Sequence, residues 1–260
     1  MSALIEALDL RFGHPGRIVG EGLSLSLRAG QVMALLGPNG GGKTTLLKTL
    51  LGLLPAQGGT VRLDGRPLVD WSLPERARRV GYVPQGQANS FGYSARQMVL
   101  MGRTAHLGLL ARPGAHDHSV ADQALRRLGI DHLADRSVHR MSGGERQLVL
   151  IARALAQEPR AVLLDEPTAS LDFGNQGLVM RAIRALAEEG LGVLFTTHDP
   201  NQARRCADTA LLLREGRVLA AGAVDEVVSA GQLRALYGAE VDDSGGQGGL
   251  PVFLPGFGVQ

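Results

Sequence analysis

Aromatic residues make up only 4% of this 260-residue chain, too few for a surface that stacks nucleobases. Cysteine occurs once, at Cys206, so no internal disulfide can form and the fold does not depend on an oxidising compartment. A small helix residue without chemistry is its expected role. A dominant charge is missing too. The 27 Lys and Arg face 25 Asp and Glu, which leaves a formal net charge of +2, and no basic run marks a nucleic-acid arm. Nucleic acid is therefore not an expected partner. No stretch approaches the ~18–20 apolar residues that a membrane-crossing helix needs. Met1 to Asp9 has neither the basic start nor the long apolar run of a signal peptide. Any membrane process is thus expected to be served from the cytoplasm, through a partner. Glycine is the over-used residue, with 36 copies gathered at 37–42, at 143–144 and in the final segment.

The chain alternates strand and helix signals. Leu23, Leu25 and Leu27 interleave with Ser24, Ser26 and Arg28, and residues 3–9 alternate likewise, as strands of an amphipathic sheet do. Residues 32–36 are continuously apolar and predict a buried strand. A glycine loop comes next at 37–42, and a helix is expected from Lys43 to Leu51. Short strands are expected at 60–63 and 80–83, with a short helix between them over 74–79. Segments 94–107, 117–128 and 130–135 carry helical patterning with almost no strand character. They predict a helical subdomain over about 87–141, inserted into an α/β core spanning about 1–86 and 142–241. Buried-strand runs return at 161–164 and 192–195, each after a helix-like segment, and 209–213 and 217–220 suggest a closing strand pair. Residues 242–260, rich in Gly and Pro, predict a loosely packed tail.

Gly37-Pro38-Asn39-Gly40-Gly41-Gly42-Lys43-Thr44 matches the phosphate-loop pattern G-x-x-x-x-G-K-[ST]. Glycines let backbone N–H groups converge on phosphates without Cβ clashes. The helix beginning near Lys43 aims its N-terminal donors at the same anion. Lys43 would bring charge to the β/γ-phosphates and Thr44 a hydroxyl to Mg²⁺, with Thr45 beside them in the nucleotide site. A chance glycine turn is the competing reading; the strand before the loop and the helix after it argue against that. The motif indicates a nucleotide but not a protein class.

The apolar run 161–164 ends in Asp165-Glu166. Acids at the C-terminal end of a parallel strand can face the ligand crevice. Asp165 would hold Mg²⁺ directly or through water, and Glu166 would polarise the attacking water as general base. Alone, the dipeptide would pass for a solvated pair.

Ser142-Gly143-Gly144-Glu145-Arg146-Gln147 lies just before an expected helix and decides the class. It resembles the signature of the ABC ATPases. Met141 stands where leucine is usual and Glu145 where glutamine is usual, departures that leave Ser-Gly-Gly intact. The resemblance implies a P-loop NTPase of RecA-like α/β fold, with an antiparallel β subdomain and an inserted α-helical subdomain. It covers about residues 3–240. It implies ATP and Mg²⁺ as cofactors. In that family the signature meets the γ-phosphate held by the other subunit of a head-to-tail dimer, so two chains complete two sites. Gln85, after Tyr82-Val83-Pro84, resembles the glutamine that touches Mg²⁺ or the attacking water and couples the site to the helical subdomain. Ser170-Leu171-Asp172 resembles the loop at the dimer seam, and His198 the histidine that hydrogen-bonds the γ-phosphate. Phe12 resembles the aromatic that stacks on adenine, with a core phenylalanine as the alternative. Surface or packing roles are expected for the other histidines, His14 among them.

One nucleotide-binding unit without a membrane span resembles the arrangement of bacterial importers. Met101-Gly102-Arg103, the run from Asp172 to Gln176 and the run from His198 to Ala203 are similar to the metal-chelate uptake branch. That branch handles iron–siderophore, haem, cobalamin and, in relatives, molybdate or tungstate. The partners so implied are integral membrane permease subunits and, through them, a periplasmic or surface substrate-binding protein. The implied location is peripheral, on the cytoplasmic face of the inner membrane. A non-transport ABC ATPase, such as an Fe–S cluster assembly factor, and an exporter ATPase stay open on the sequence alone.

Overall fold

The computed structural model describes residues 3–86, 92–108, 111–245 and 251–256. The expected start of the helical insertion, 87–91, lies outside the described residues, as do 109–110, 246–250 and 257–260.

A six-stranded sheet forms the centre. Its order is β10 (Arg217–Ala223), β9 (Thr209–Arg214), β3 (Val32–Leu36), β8 (Gly192–Thr197), β7 (Ala161–Leu164) and β6 (Val80–Val83). All neighbours run parallel except the β9–β10 edge hairpin. Both faces are covered, which explains the continuous apolar runs. On β3, Val32, Ala34 and Leu36 enter one core with Val162, Leu164, Val193 and Phe195. Met33 and Leu35 enter a second core with Leu163, Leu194 and Leu211. Each fully buried leucine contributes about 1.5–3 kcal/mol.

The second core lies beneath an antiparallel sheet of order β2 (Arg17–Arg28), β1 (Ala3–His14), β4 (Gly58–Leu63) and β5 (Arg66–Pro67), with α1 (Lys43–Leu50) between the layers. The β1–β2 hairpin is longer than its alternation predicts. Glycines continue it where they look like breaks: a Cβ on Gly13 would stand 2.1 Å from the Arg17 carbonyl oxygen.

The first core is covered by α3 (Ala95–Leu100), α4 (Ala115–Arg127), α5 (Gly143–Leu155) and α6 (Phe173–Glu188). Arg103, 2% exposed, joins the helical region to the sheet region. Its Nε donates to Asp117 at 2.9 Å, and its Nη1 donates to Glu158 and to the Ala156 carbonyl at 2.7 Å. The Asp117 carboxyl is held below its ordinary pKa, first by the Gly114 backbone N–H and then by Arg103. A short α2 (Leu73–Arg79) precedes β6, started by a capping box of Ser72 and Glu75.

The final segment departs from the expected loose tail. After α7 (Pro200–Cys206), α8 (Val224–Val227) and α9 (Ala230–Tyr237), the chain forms an antiparallel hairpin of β11 (Val241–Gly245) and β12 (Pro251–Pro255). Val241 and Phe253 are buried at 7% and 4% exposure. Composition misleads here because the apolar anchors of the hairpin sit among Gly and Pro.

Cys206, on α7, is buried, and burial pushes its thiol up to about 12. The folded chain is therefore expected to react with a thiol-specific disulfide reagent at least about a hundredfold more slowly than the urea-unfolded chain. Equal rates would mean that the packing of α7 on α6 opens freely.

Candidate nucleotide-binding site

The loop 37–42 leaves β3 and enters α1 as predicted. Gly37 packs against β9, where an added Cβ would stand 2.2 Å from the Leu213 carbonyl oxygen. Gly40 and Gly42 adopt φ of 78° and 97°, conformations open to glycine. No side chain caps α1, so its first N–H groups remain free to donate into the cleft. The cleft has a volume of about 640 Å³ and is lined by Asn39, Gly40, Gly42, Lys43, Thr44, Thr45, Gln85 and Glu166. Lys43, 5% exposed, folds back over its own loop. Its Nζ donates to the carbonyls of Gly37 at 2.8 Å and Pro38 at 3.1 Å, and stands 3.1 Å from Glu166 Oε1.

The two acids differ in exposure and in partners. Asp165 is 1% exposed, and its Oδ1 accepts from the Thr196 hydroxyl at 2.8 Å. Its Oδ2 is buried and, among the described residues, has no hydrogen-bond partner. Thr44 and Gln85 line the cleft, and the buried Asp165 carboxylate lies at the end of β7 next to Glu166; oxygen donors of these kinds suit a hard divalent cation such as Mg²⁺. Glu166 takes a φ of 45°, in the left-handed region that costs a side-chain-bearing residue about 1–3 kcal/mol. The turn is held by its backbone N–H, which donates to Thr196 Oγ1 at 2.7 Å. The carboxylate so aimed receives Gln85 Nε2 at 3.1 Å and has His198 Nδ1 at 3.6 Å. Three residues far apart in sequence, Lys43, Gln85 and His198, thus surround the Glu166 carboxylate. Thr196, which orients both acids, carried no sequence signal beyond lying in an apolar strand.

Ser142 caps α5, accepting from Glu145 N–H at 3.2 Å while Glu145 Oε2 accepts from Ser142 N–H at 2.7 Å. Gly144 is a close-packing glycine, since a Cβ there would lie 2.2 Å from Asn175 Oδ1. Within one chain Ser142, Gly143 and Gly144 do not reach the phosphate-loop cleft. Gly143 lines an adjoining cleft of about 400 Å³ with Arg146, Ser170 and Leu171, and Gln85 and Glu166 border both clefts.

Phe12 requires a correction. Its ring is 0% exposed, packed against Gly20 and Gly42, and presents no face to the cleft. Strand alternation is the reason, because Phe12 shares the inward side of β1 with Leu10. That end of the cleft is lined instead by His14, Arg17, Ile18 and Val19 from the β1–β2 turn, and by Glu215 and Gly216. His14, expected at the surface or in packing, stands with Nε2 3.5 Å from the Thr45 hydroxyl.

A phosphate loop between a parallel strand and a helix, with paired acids ending a strand of the same sheet, defines a P-loop nucleotide hydrolase. Residues 21–169 match the ABC transporter family, so the chain belongs to the ATP-binding proteins of the ABC transporters and is an ATPase. It is 44% identical over 210 residues to an uncharacterized ABC transporter ATP-binding protein of Haemophilus influenzae, covering 81% of this chain and 80% of that one. It is 41% identical over 239 residues to a hemin import ATP-binding protein of Streptomyces coelicolor, covering 92% and 85%. A structure of an inward-facing metal-chelate type ABC transporter matches with a TM-score of 0.87 and 35% identity, over 99% of this chain and 98% of that one. The expected fold class is thereby met.

Proposed function

We propose that two copies of this chain close head-to-tail around two ATP molecules and drive import of a metal chelate through a separate membrane permease. Haem is the first candidate cargo, ahead of iron–siderophore, cobalamin and molybdate, because several relatives are named for hemin import. The observation that carries the dimer is that Ser142, Gly143 and Gly144 line no part of the phosphate-loop cleft of their own chain, and Gly143 faces only the adjoining cleft. Each chain then holds half of two sites. Phe173, 87% exposed beside the Asp172 cap of α6, lies where the second copy would cover it. Among the described residues no helix is long and apolar enough to cross a membrane, which accords with a peripheral subunit at the cytoplasmic face.

The chemistry comes from the cleft. The α1 N-terminus and Lys43 bind the β- and γ-phosphates. Mg²⁺, held by Thr44, Asp165 and Gln85, would neutralise phosphate charge. Glu166 takes the proton of the attacking water, and His198 steadies the γ-phosphate. Gln85, at the border of the helical region, reports occupancy to the surface that meets the permease.

The test is uptake by intact cells of labelled haem, iron–siderophore, cobalamin and molybdate, with wild type against Lys43→Ala. Selective loss of haem uptake is expected. Undiminished uptake of all four would overturn these cargoes and favour another cargo, export or an assembly role.

A further inference from the structure

We propose that α9 and the C-terminal hairpin position the loop carrying His198, with Tyr237 and Asn201 as the contact residues, an inference that rests on the proposed role of His198. The loop joins β8 to α7; the Tyr237 side chain of α9 holds its backbone, and the Asn201 side chain, at the start of α7, holds the hairpin beside it. The His198 carbonyl accepts from the Tyr237 hydroxyl at 2.7 Å. Burial, with Asp199 adding to it, raises the Tyr237 phenol well above its ordinary pKa, so this donor keeps its proton. The Asn201 carboxamide engages both backbone groups of Phe253: Nδ2 donates to its carbonyl at 3.0 Å, and its N–H donates to Oδ1 at 2.9 Å. The amide thereby acts as a partner to the edge of β12. Phe253 is buried, and Arg234 Nη2 donates to the Val241 carbonyl at 2.9 Å, so the hairpin is itself anchored to α9.

A second grip comes from the opposite side. Gln202 Oε1 accepts from the hydroxyls of Thr168 at 2.8 Å and Thr197 at 3.1 Å. Thr168 lies two residues beyond Glu166, so this contact ties the histidine loop to the segment of the proposed base. Between the loop and the hairpin lies a cleft of about 470 Å³, bordered by His198, Pro200, Tyr237 and Phe253. Without the two polar ties the loop has room to sag into that space. A displacement of His198 there would spare the α1 N-terminus and Lys43, which bind ATP, and would act on the hydrolytic step. Tyr237 and Asn201 are positioning residues by this geometry: Tyr237 acts through the His198 carbonyl, and Asn201 ties the start of α7, just after the loop, to the hairpin.

The experiment is a double-variant cycle on the purified full-length chain, reading kcat, KM for ATP and melting temperature. Tyr237→Phe removes one hydroxyl and is expected to lower kcat about five- to tenfold while KM stays within about twofold. In a His198→Ala background the same change should cost nothing further. Asn201→Ala, which releases the hairpin and leaves Tyr237 in place, should reproduce the kcat-selective loss. A wild-type kcat in Tyr237→Phe, or a loss that persists at full size without His198, would overturn the positioning role. A wild-type kcat in Asn201→Ala would remove the hairpin from it. A wild-type kcat in His198→Ala would overturn the role of His198 itself, and the positioning role with it.

Discussion

Replacement of Glu166 by glutamine is expected to lower ATP turnover by about two to four orders of magnitude while ATP still binds. The substitution keeps size and shape and removes the negative charge together with the ability to take a proton. The site gives reasons for both halves of the result. On the proposed reading ATP is held by the loop 37–42, the N-terminus of α1 and Lys43; the loop and helix keep their contacts, and Lys43 loses only its ion pair with Glu166. The carboxylate is aimed by a backbone turn with φ of 45° that Thr196 holds through the Glu166 N–H, a contact that glutamine retains. Single-turnover hydrolysis measured beside equilibrium ATP binding separates the two effects. Wild-type turnover would remove Glu166 from the role of base, whereas lost binding would show that its charge maintains the loop.

The Lys43–Glu166 pair gives that variant a second consequence. With Lys43 and Glu166 side chains 5% and 9% exposed, the 3.1 Å contact is shielded from solvent, and it occupies the very group proposed as base. A bound γ-phosphate would compete for Lys43. Its arrival would draw the ammonium from Glu166 and from the carbonyls of Gly37 and Pro38, and so free the carboxylate for water. Nucleotide binding and activation of the base are then one exchange of partners.

Much of this site is legible in the sequence because it is built from local signals. A buried parallel strand must be apolar on both faces, so residues 32–36 and 161–164 stand out, and the loops that leave these two strands lie at the same sheet edge. The glycine loop is local as well. The features that escape are set by tertiary contact. Phe12 reads as a stacking aromatic until β1 is extended through Gly13, which places its ring inward against Gly20. Thr196 lies just past the apolar run 192–195, and only when β8 lies beside β7 does its hydroxyl meet both acids. Composition reads the final segment as loose, yet Asn201 and Phe253, distant in sequence, hold each other.

Neither Lys43→Ala nor Ser142→Asp is expected to hydrolyse ATP alone, yet an equimolar mixture of the two should recover roughly a quarter of wild-type activity, because half the dimers are mixed and each mixed dimer holds one complete site. Lys43→Ala removes the phosphate's cation. Ser142→Asp keeps α5 capped, since aspartate replaces serine well at that position, but sets a negative charge where the partner's γ-phosphate must come. In a head-to-tail pair, the intact loop of the second variant meets the intact signature of the first. In a pair where each chain serves its own nucleotide, no combination restores a site. Recovery on mixing, read as phosphate release against total protein, would therefore establish the shared geometry. A mixture as inactive as its components would show either that each chain works alone or that one half-occupied dimer cannot turn over. Titrating wild type with Ser142→Asp decides between these: activity falling in proportion to the wild-type fraction means chains that work alone, and activity falling with its square means that both sites are required.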